Sequence, residues 1–148
     1  MKRLTHLSLA ALALVVLVAA ASTTSAQNAT DGAIANAATV HSRISVGTTE
    51  DETQIKGIPG AVYSITATNV NAAVRYLKCY NLPASSAAPG TSTPWLRLAV
   101  PGAGSVTATF PSGAFFSVSL TCALVIGVAD SDVAEVAANE LIWTITYK

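Results

Sequence analysis

The chain has 148 residues and a formal net charge of zero, with 8 Lys+Arg against 8 Asp+Glu and only 11% charged residues. So few basic residues leave no electrostatic footprint for nucleic acid. The length suits one domain with one core.

The N-terminus reads as an export signal. Lys2 and Arg3 precede an apolar run from Leu7 to Ala21, broken only by Ser8, and small residues end it at Thr24-Ser25-Ala26. A basic start, a short apolar stretch and small residues two apart are what a signal peptidase reads, so cleavage is expected after Ala26, with Ala21 or Ala29 as alternative sites. The run is shorter than the ~20 residues needed to cross a bilayer. No Cys follows it to carry a lipid anchor. Removing Lys2 and Arg3 leaves six basic residues against eight acidic ones, a net charge of −2 for the mature chain. The expected product is a secreted or periplasmic bacterial protein with no membrane span and no nucleic-acid partner.

Residues 27–37 (QNATDGAIANA) read as a flexible mature N-terminus, in which Asn28-Ala29-Thr30 fits a sequon expected to go unused. The remainder, 38–148, reads as a single all-β domain. Val40, Ile44 and Val46 alternate with Thr39, His41, Arg43 and Ser45, giving a first strand with the apolar set facing inward. Glu50-Asp51-Glu52 follows as an acidic loop. Tyr63, Ile65 and Ala67 alternate with Ser64, Thr66 and Thr68. Leu77 and Cys79 oppose Tyr76, Lys78 and Tyr80. Leu96, Leu98 and Val100 oppose Trp95, Arg97 and Ala99. Val106, Ala108 and Phe110 oppose Ser105, Thr107 and Thr109. Phe116, Val118, Leu120, Cys122, Leu124 and Ile126 form the longest apolar stripe. Leu141, Trp143, Ile145 and Tyr147 close the chain. Period-two alternation marks strands with one buried face.

Gly57-Ile58-Pro59-Gly60, Pro101-Gly102-Ala103-Gly104 and Pro111-Ser112-Gly113 read as breaks, and Asn81 to Pro94 as a longer loop. Ala134 to Glu140 has room for a helical turn. Seven to eight strands at this spacing predict an antiparallel β-sandwich, jelly-roll-like.

Cys79 and Cys122 both fall on apolar faces, and an exported chain with two cysteines is expected to pair them, either between sheets or between neighbouring strands. In the chain-entropy view, closing a loop of that length is worth roughly 4 kcal/mol.

Catalytic chemistry is not indicated. His41 is the single mature histidine and has no Gly-x-Ser-x-Gly elbow to serve. One His and two bonded Cys are too few for zinc. Asp130-Ser131-Asp132, with Glu135 and Glu140 nearby, gathers oxygen ligands that suit a weak calcium site, but it lacks EF-hand spacing and also fits an ordinary turn. No confident metal or other cofactor emerges. Trp95, Tyr76 and Tyr80 fall away from the leucines and are candidates to stack on a glycan or a protein surface. If both sheet faces are partly covered, they are buried instead. A low-charge surface of Thr, Ser and Ala suits packing against a partner or against copies of itself.

Two stretches resemble a known group. The segment from Val62-Tyr63-Ser64-Ile65-Thr66 through Asn69-Val70-Asn71-Ala72-Ala73 to Lys78, and the run from Ala129-Asp130-Ser131-Asp132 through Val136-Ala137-Ala138-Asn139 to Tyr147, are similar to small, mostly uncharacterised β-rich proteins of tailed phages and prophages. The likeness covers most of the chain after Gly57. It implies a virion-surface or structural role and carries no catalytic residues. The leader and the cysteine pair depart from that pattern and suit a host-encoded or repurposed relative. The expected function is an exported, non-enzymatic structural or interaction module, with a glycan-binding sandwich or a virion structural protein as alternatives.

Overall fold

The computed structural model describes residues 38–47 and 52–148. The leader at 1–26, the segment 27–37 with Asn28, and Glu50 and Asp51 lie outside the described residues. Among the described residues no helix forms, and the chain runs through eight strands: β1 (Thr39–Ile44), β2 (Thr53–Lys56), β3 (Gly60–Asn69), β4 (Arg75–Tyr80), β5 (Leu96–Val100), β6 (Gly104–Phe116), β7 (Leu120–Val125) and β8 (Leu141–Tyr147).

The strands form two antiparallel sheets of four. The first has the order β1-β8-β3-β6 and the second β2-β7-β4-β5. Only β4 and β5 are both consecutive and adjacent, and every other connection crosses between sheets. Strand 1 therefore pairs with 8, 2 with 7, 3 with 6 and 4 with 5. A hairpin rolled up in this way is the jelly roll. The inner faces meet in one apolar cluster. Val62, Ile65 and Ala67 of β3 and Leu141, Trp143 and Ile145 of β8 face Leu77 and Cys79 of β4 and Leu120, Cys122 and Leu124 of β7. Each fully buried Leu or Ile contributes about 1.5–3 kcal/mol to that packing.

Cys79 and Cys122 are bonded, and they stand directly opposite each other in the β4–β7 pair, with Cα atoms 4.0 Å apart. The bond thus joins neighbouring strands within the second sheet. A buried disulfide is compatible with an oxidising compartment. No helix among the described residues is long and apolar enough to cross a membrane.

The alternation read from the sequence holds for β4, β5, β6 and β8, and for β3 from Ser64 onward; the bulge at Tyr63 shifts the phase, so Val62 rather than Tyr63 joins Ile65 and Ala67 in the core. In β1 the phase is inverted: Val40, Ile44 and Val46 are exposed, whereas His41 and Arg43 are half-buried and Ser45 is buried. Ser45 explains the inversion. Its N–H donates to the Leu141 carbonyl (2.8 Å) and its carbonyl accepts from Asn139 N–H (2.8 Å). Its hydroxyl donates to the Ala137 carbonyl (2.6 Å) and accepts from the N–H groups of Glu140 (2.9 Å) and Leu141 (3.1 Å). One serine thereby satisfies the backbone where the chain enters β8.

Three further expectations change. The apolar stripe from Phe116 to Ile126 is two strands, with Val118 exposed in the turn between β6 and β7 and Ile126 exposed beyond β7. Pro111-Ser112-Gly113 does not end a strand. β6 runs through it as a bulge opposite Tyr63, with Gly113 at φ 77°. A Cβ there would stand 3.0 Å from that of Ala61. Ala134 to Glu140 forms no helical turn: Glu135 bridges to Val125, which draws the segment along the end of β7 and seats Val136 in the core. The short edge strand β2, with only Ile55 buried, has too few residues to show an alternation.

Candidate interaction surface

The two sheets treat their outward faces differently. On the second sheet, β4 turns Tyr76, Lys78 and Tyr80 away from the core, yet Lys78 and Tyr80 are fully buried. Two loops, 81–95 and 126–135, lie over them. Tyr80 packs with Ala87, Ala123 and Leu82 in a small second cluster. The first loop is tied down by Thr121, whose hydroxyl donates to the Leu82 carbonyl (2.8 Å), and by Gln54, whose side-chain oxygen accepts from Ala84 N–H (3.0 Å). Gly90 N–H donates to the Asp130 carbonyl (3.0 Å), which joins the two loops. A Cβ on Gly90 would collide with Val133.

This covering decides the three aromatic candidates. The ring of Tyr80 presents no face to solvent and Tyr76 is half-buried. Trp95 precedes β5, so the strand's alternation does not extend to it. Its N–H donates to the Cys79 carbonyl (2.8 Å), and its half-buried ring packs against the main core, edge-on to Phe116 at 6.4 Å between centroids.

The acidic loop is a clasp. Asp130 receives both arms of Arg97, from Nε to Oδ1 at 2.7 Å and from Nη2 to Oδ2 at 2.6 Å. That fork holds the Asp130 carboxyl below its ordinary range. Asp132 accepts from Ala134 N–H (3.0 Å) and fits against Gly127, where any Cβ would strike its carboxylate. Lys78 donates to the Ala129 carbonyl at 2.5 Å. Burial pushes the Lys78 amine down, partly offset by the charges of Asp132 and Asp130. A calcium ion would have to displace the Arg97 fork to use Asp130. Among the described residues no three His, Cys, Asp or Glu side chains gather as a metal set.

Glu140 and His41 both make structural contacts. Glu140, on the first sheet's side, pairs with Arg75 of β4 and also accepts from Ala137 N–H (3.1 Å), bridging the two sheets at one end. His41 lies 5.4 Å from the Trp143 ring, and burial, followed by the charge of Arg43, lowers its pKa.

No segment comparable to the two loops covers the outward face of the first sheet among the described residues. The strand registers arrange it as a grid of three rows across β1, β8, β3 and β6. The rows are Val40-Thr146-Ser64-Thr109, Ser42-Thr144-Thr66-Thr107 and Ile44-Ile142-Thr68-Ser105. Nine of the twelve positions are Ser or Thr, three are Val or Ile, and none is charged. Neighbouring hydroxyls bond to each other: Ser42 with Thr144 (3.0 Å), Thr66 with Thr107 (3.1 Å) and Thr68 with Ser105 (2.8 Å). A hydroxyl with a lateral partner loses less when water leaves, because its hydrogen bond persists. The β1 corner is the most apolar part, with Val40 61%, Ile44 38% and Ile142 43% exposed. Sequence alternation identified the polar members one strand at a time. Their rows depend on the strand order and on the inverted phase of β1.

No protein-family model matches this chain, and no curated protein or solved structure matches it.

Proposed function

We propose that this protein is an exported, non-enzymatic structural or interaction module that works through the outward face of its first sheet. The observation that carries the reading is the contrast between the sheets. One outward face is closed by two clasped loops, while the other is a charge-free Ser/Thr/Val/Ile grid in which six of the nine hydroxyls are paired. Interface cores are depleted in charge, and this face meets that condition without rearrangement.

The fold is compatible with this reading. Jelly rolls serve as viral coat and lectin domains, although fold alone does not decide between such roles. The resemblance to small phage β-rich proteins favours a structural part, and the apolar leader favours action outside the cytoplasm. A glycan-binding reading is weaker, since Tyr80 is buried, Trp95 packs on the core and Asp130 is held by Arg97.

Site-specific photo-crosslinking in the source cell tests the proposal. A photo-reactive residue at Thr107, exposed on the grid, is expected to give crosslinked products, and one at Ala99, exposed on the second sheet, is not. Equal yields from both sites, or none from Thr107, would contradict the reading.

A further inference from the structure

We infer that the occupant of the grid is a second copy of this chain, seated sheet to sheet; this rests on reading that face as the working surface. In a two-fold pair the same patch serves both partners. A patch of one charge sign cannot meet itself without repulsion, but this one carries no charge at any of its twelve positions. Six of its nine hydroxyls, those of Ser42, Thr144, Thr66, Thr107, Thr68 and Ser105, already bond in pairs along the rows, which lowers the cost of drying that part of the face. Beside these hydroxyls the face offers the methyl groups of Thr, Val and Ile. These suit dry packing of one sheet on another at about 10 Å, with strands within about 30° of parallel.

The area is adequate. Four strands at about 4.8 Å spacing give a width of roughly 19 Å. Lengths of 6 to 13 residues at about 3.3 Å per residue make the projected outward face of the whole sheet roughly 600 Å², of which the twelve-position grid is the central half. A standard specific interface takes about 800 Å² of accessible surface per partner, and a corrugated face has more accessible than projected area. The exposed Val40, Ile44 and Ile142 supply an apolar portion that water does not stabilise. A glycan or a highly charged protein would find neither stacking rings nor counter-charges on this grid.

Sedimentation velocity on the purified protein, expressed from its full-length sequence, tests the inference. Across a micromolar concentration series the protein should move from monomer to dimer. Thr66→Lys puts a charge in the middle row on an interior strand and should weaken association by about a hundredfold. Ala99→Lys adds the same charge on the other sheet and should leave association unchanged. Circular dichroism and Tm establish that both variants fold, and Thr107→Glu serves as a second probe of the grid if Thr66→Lys does not. A strictly monomeric parent, or equal effects of the two lysine substitutions, would overturn the inference. If the parent is monomeric while Thr107 crosslinks a different protein in the cell, self-association is wrong and the interaction-module reading stands.

Discussion

Cys79 of β4 and Cys122 of β7 face each other directly across adjacent strands, and their bond closes a sequence separation of 43 residues inside the core. Because the strands are already hydrogen-bonded neighbours, its main effect is to restrict the unfolded chain. The chain-entropy relation gives about 4 kcal/mol for such a loop. Reduction, or the pair Cys79→Ala with Cys122→Ala, should therefore lower Tm by well over 10 °C for a domain of this size. An unchanged melting curve with and without reductant would contradict this.

Ser45 is the polar anchor that fixes the phase of β1. Ser45→Ala removes the hydroxyl from Ala137, Glu140 and Leu141 in a buried site. The expected cost is about 1–3 kcal/mol. Ser42→Ala, on the exposed side of the same strand, should cost under about 1 kcal/mol. Urea titration of both variants measures the difference, and equal midpoints would refute the role assigned to Ser45.

The Arg97–Asp130 fork closes the loops over the second sheet. Its effect on global stability should be small because both groups are exposed. Its local effect should be larger. The Asp130 pKa is held below its ordinary 3.8, so the fork's contribution is present above that pH and is lost as pH falls through the lowered value. Protection of the Gly90 amide from exchange, relative to an unstructured peptide at the same pH, reports on the bond to the Asp130 carbonyl and should fall as pH drops below 3.8. In Arg97→Ala protection should be low throughout. Strong protection in the variant, unchanged with pH, would show that the fork does not hold the loop.

His41 supplies a second pH dependence. Its pKa is lowered from 6.5 by burial and then by Arg43. The unfolded chain therefore binds the proton more readily. This contribution is fully present above pH 6.5 and is lost as pH falls through the lowered value. His41→Gln should flatten that segment of the Tm-versus-pH curve. A decline of the same slope in the variant would assign it elsewhere.

The sandwich was legible in the sequence because interior strands such as β3 and β8 bury one face each and so alternate cleanly. β1 was misread because it is an edge strand, and a buried serine with partners nearly a hundred residues away decides which side faces inward. Trp95 was assigned outward from the alternation of a strand that begins one residue later. Burial of the tyrosines was the favoured reading of the sequence, and Tyr80 bears it out, but the means was not legible, because it depends on two loops meeting through Gly90 and the Asp130 carbonyl. The Ser/Thr composition suggested a surface suited to packing, but no local pattern reveals that residues from four distant strands align in rows.

Hydroxyl-radical footprinting tests the central claim most directly, by comparing the protein in its native cellular setting with the purified protein at high dilution. Val40, Ile44 and Ile142 on the grid should be protected in the native setting and labelled on dilution. Val74 and Val128, exposed elsewhere, should be labelled in both. Equal labelling of the grid residues in the two conditions would contradict the assignment of this face as the working surface.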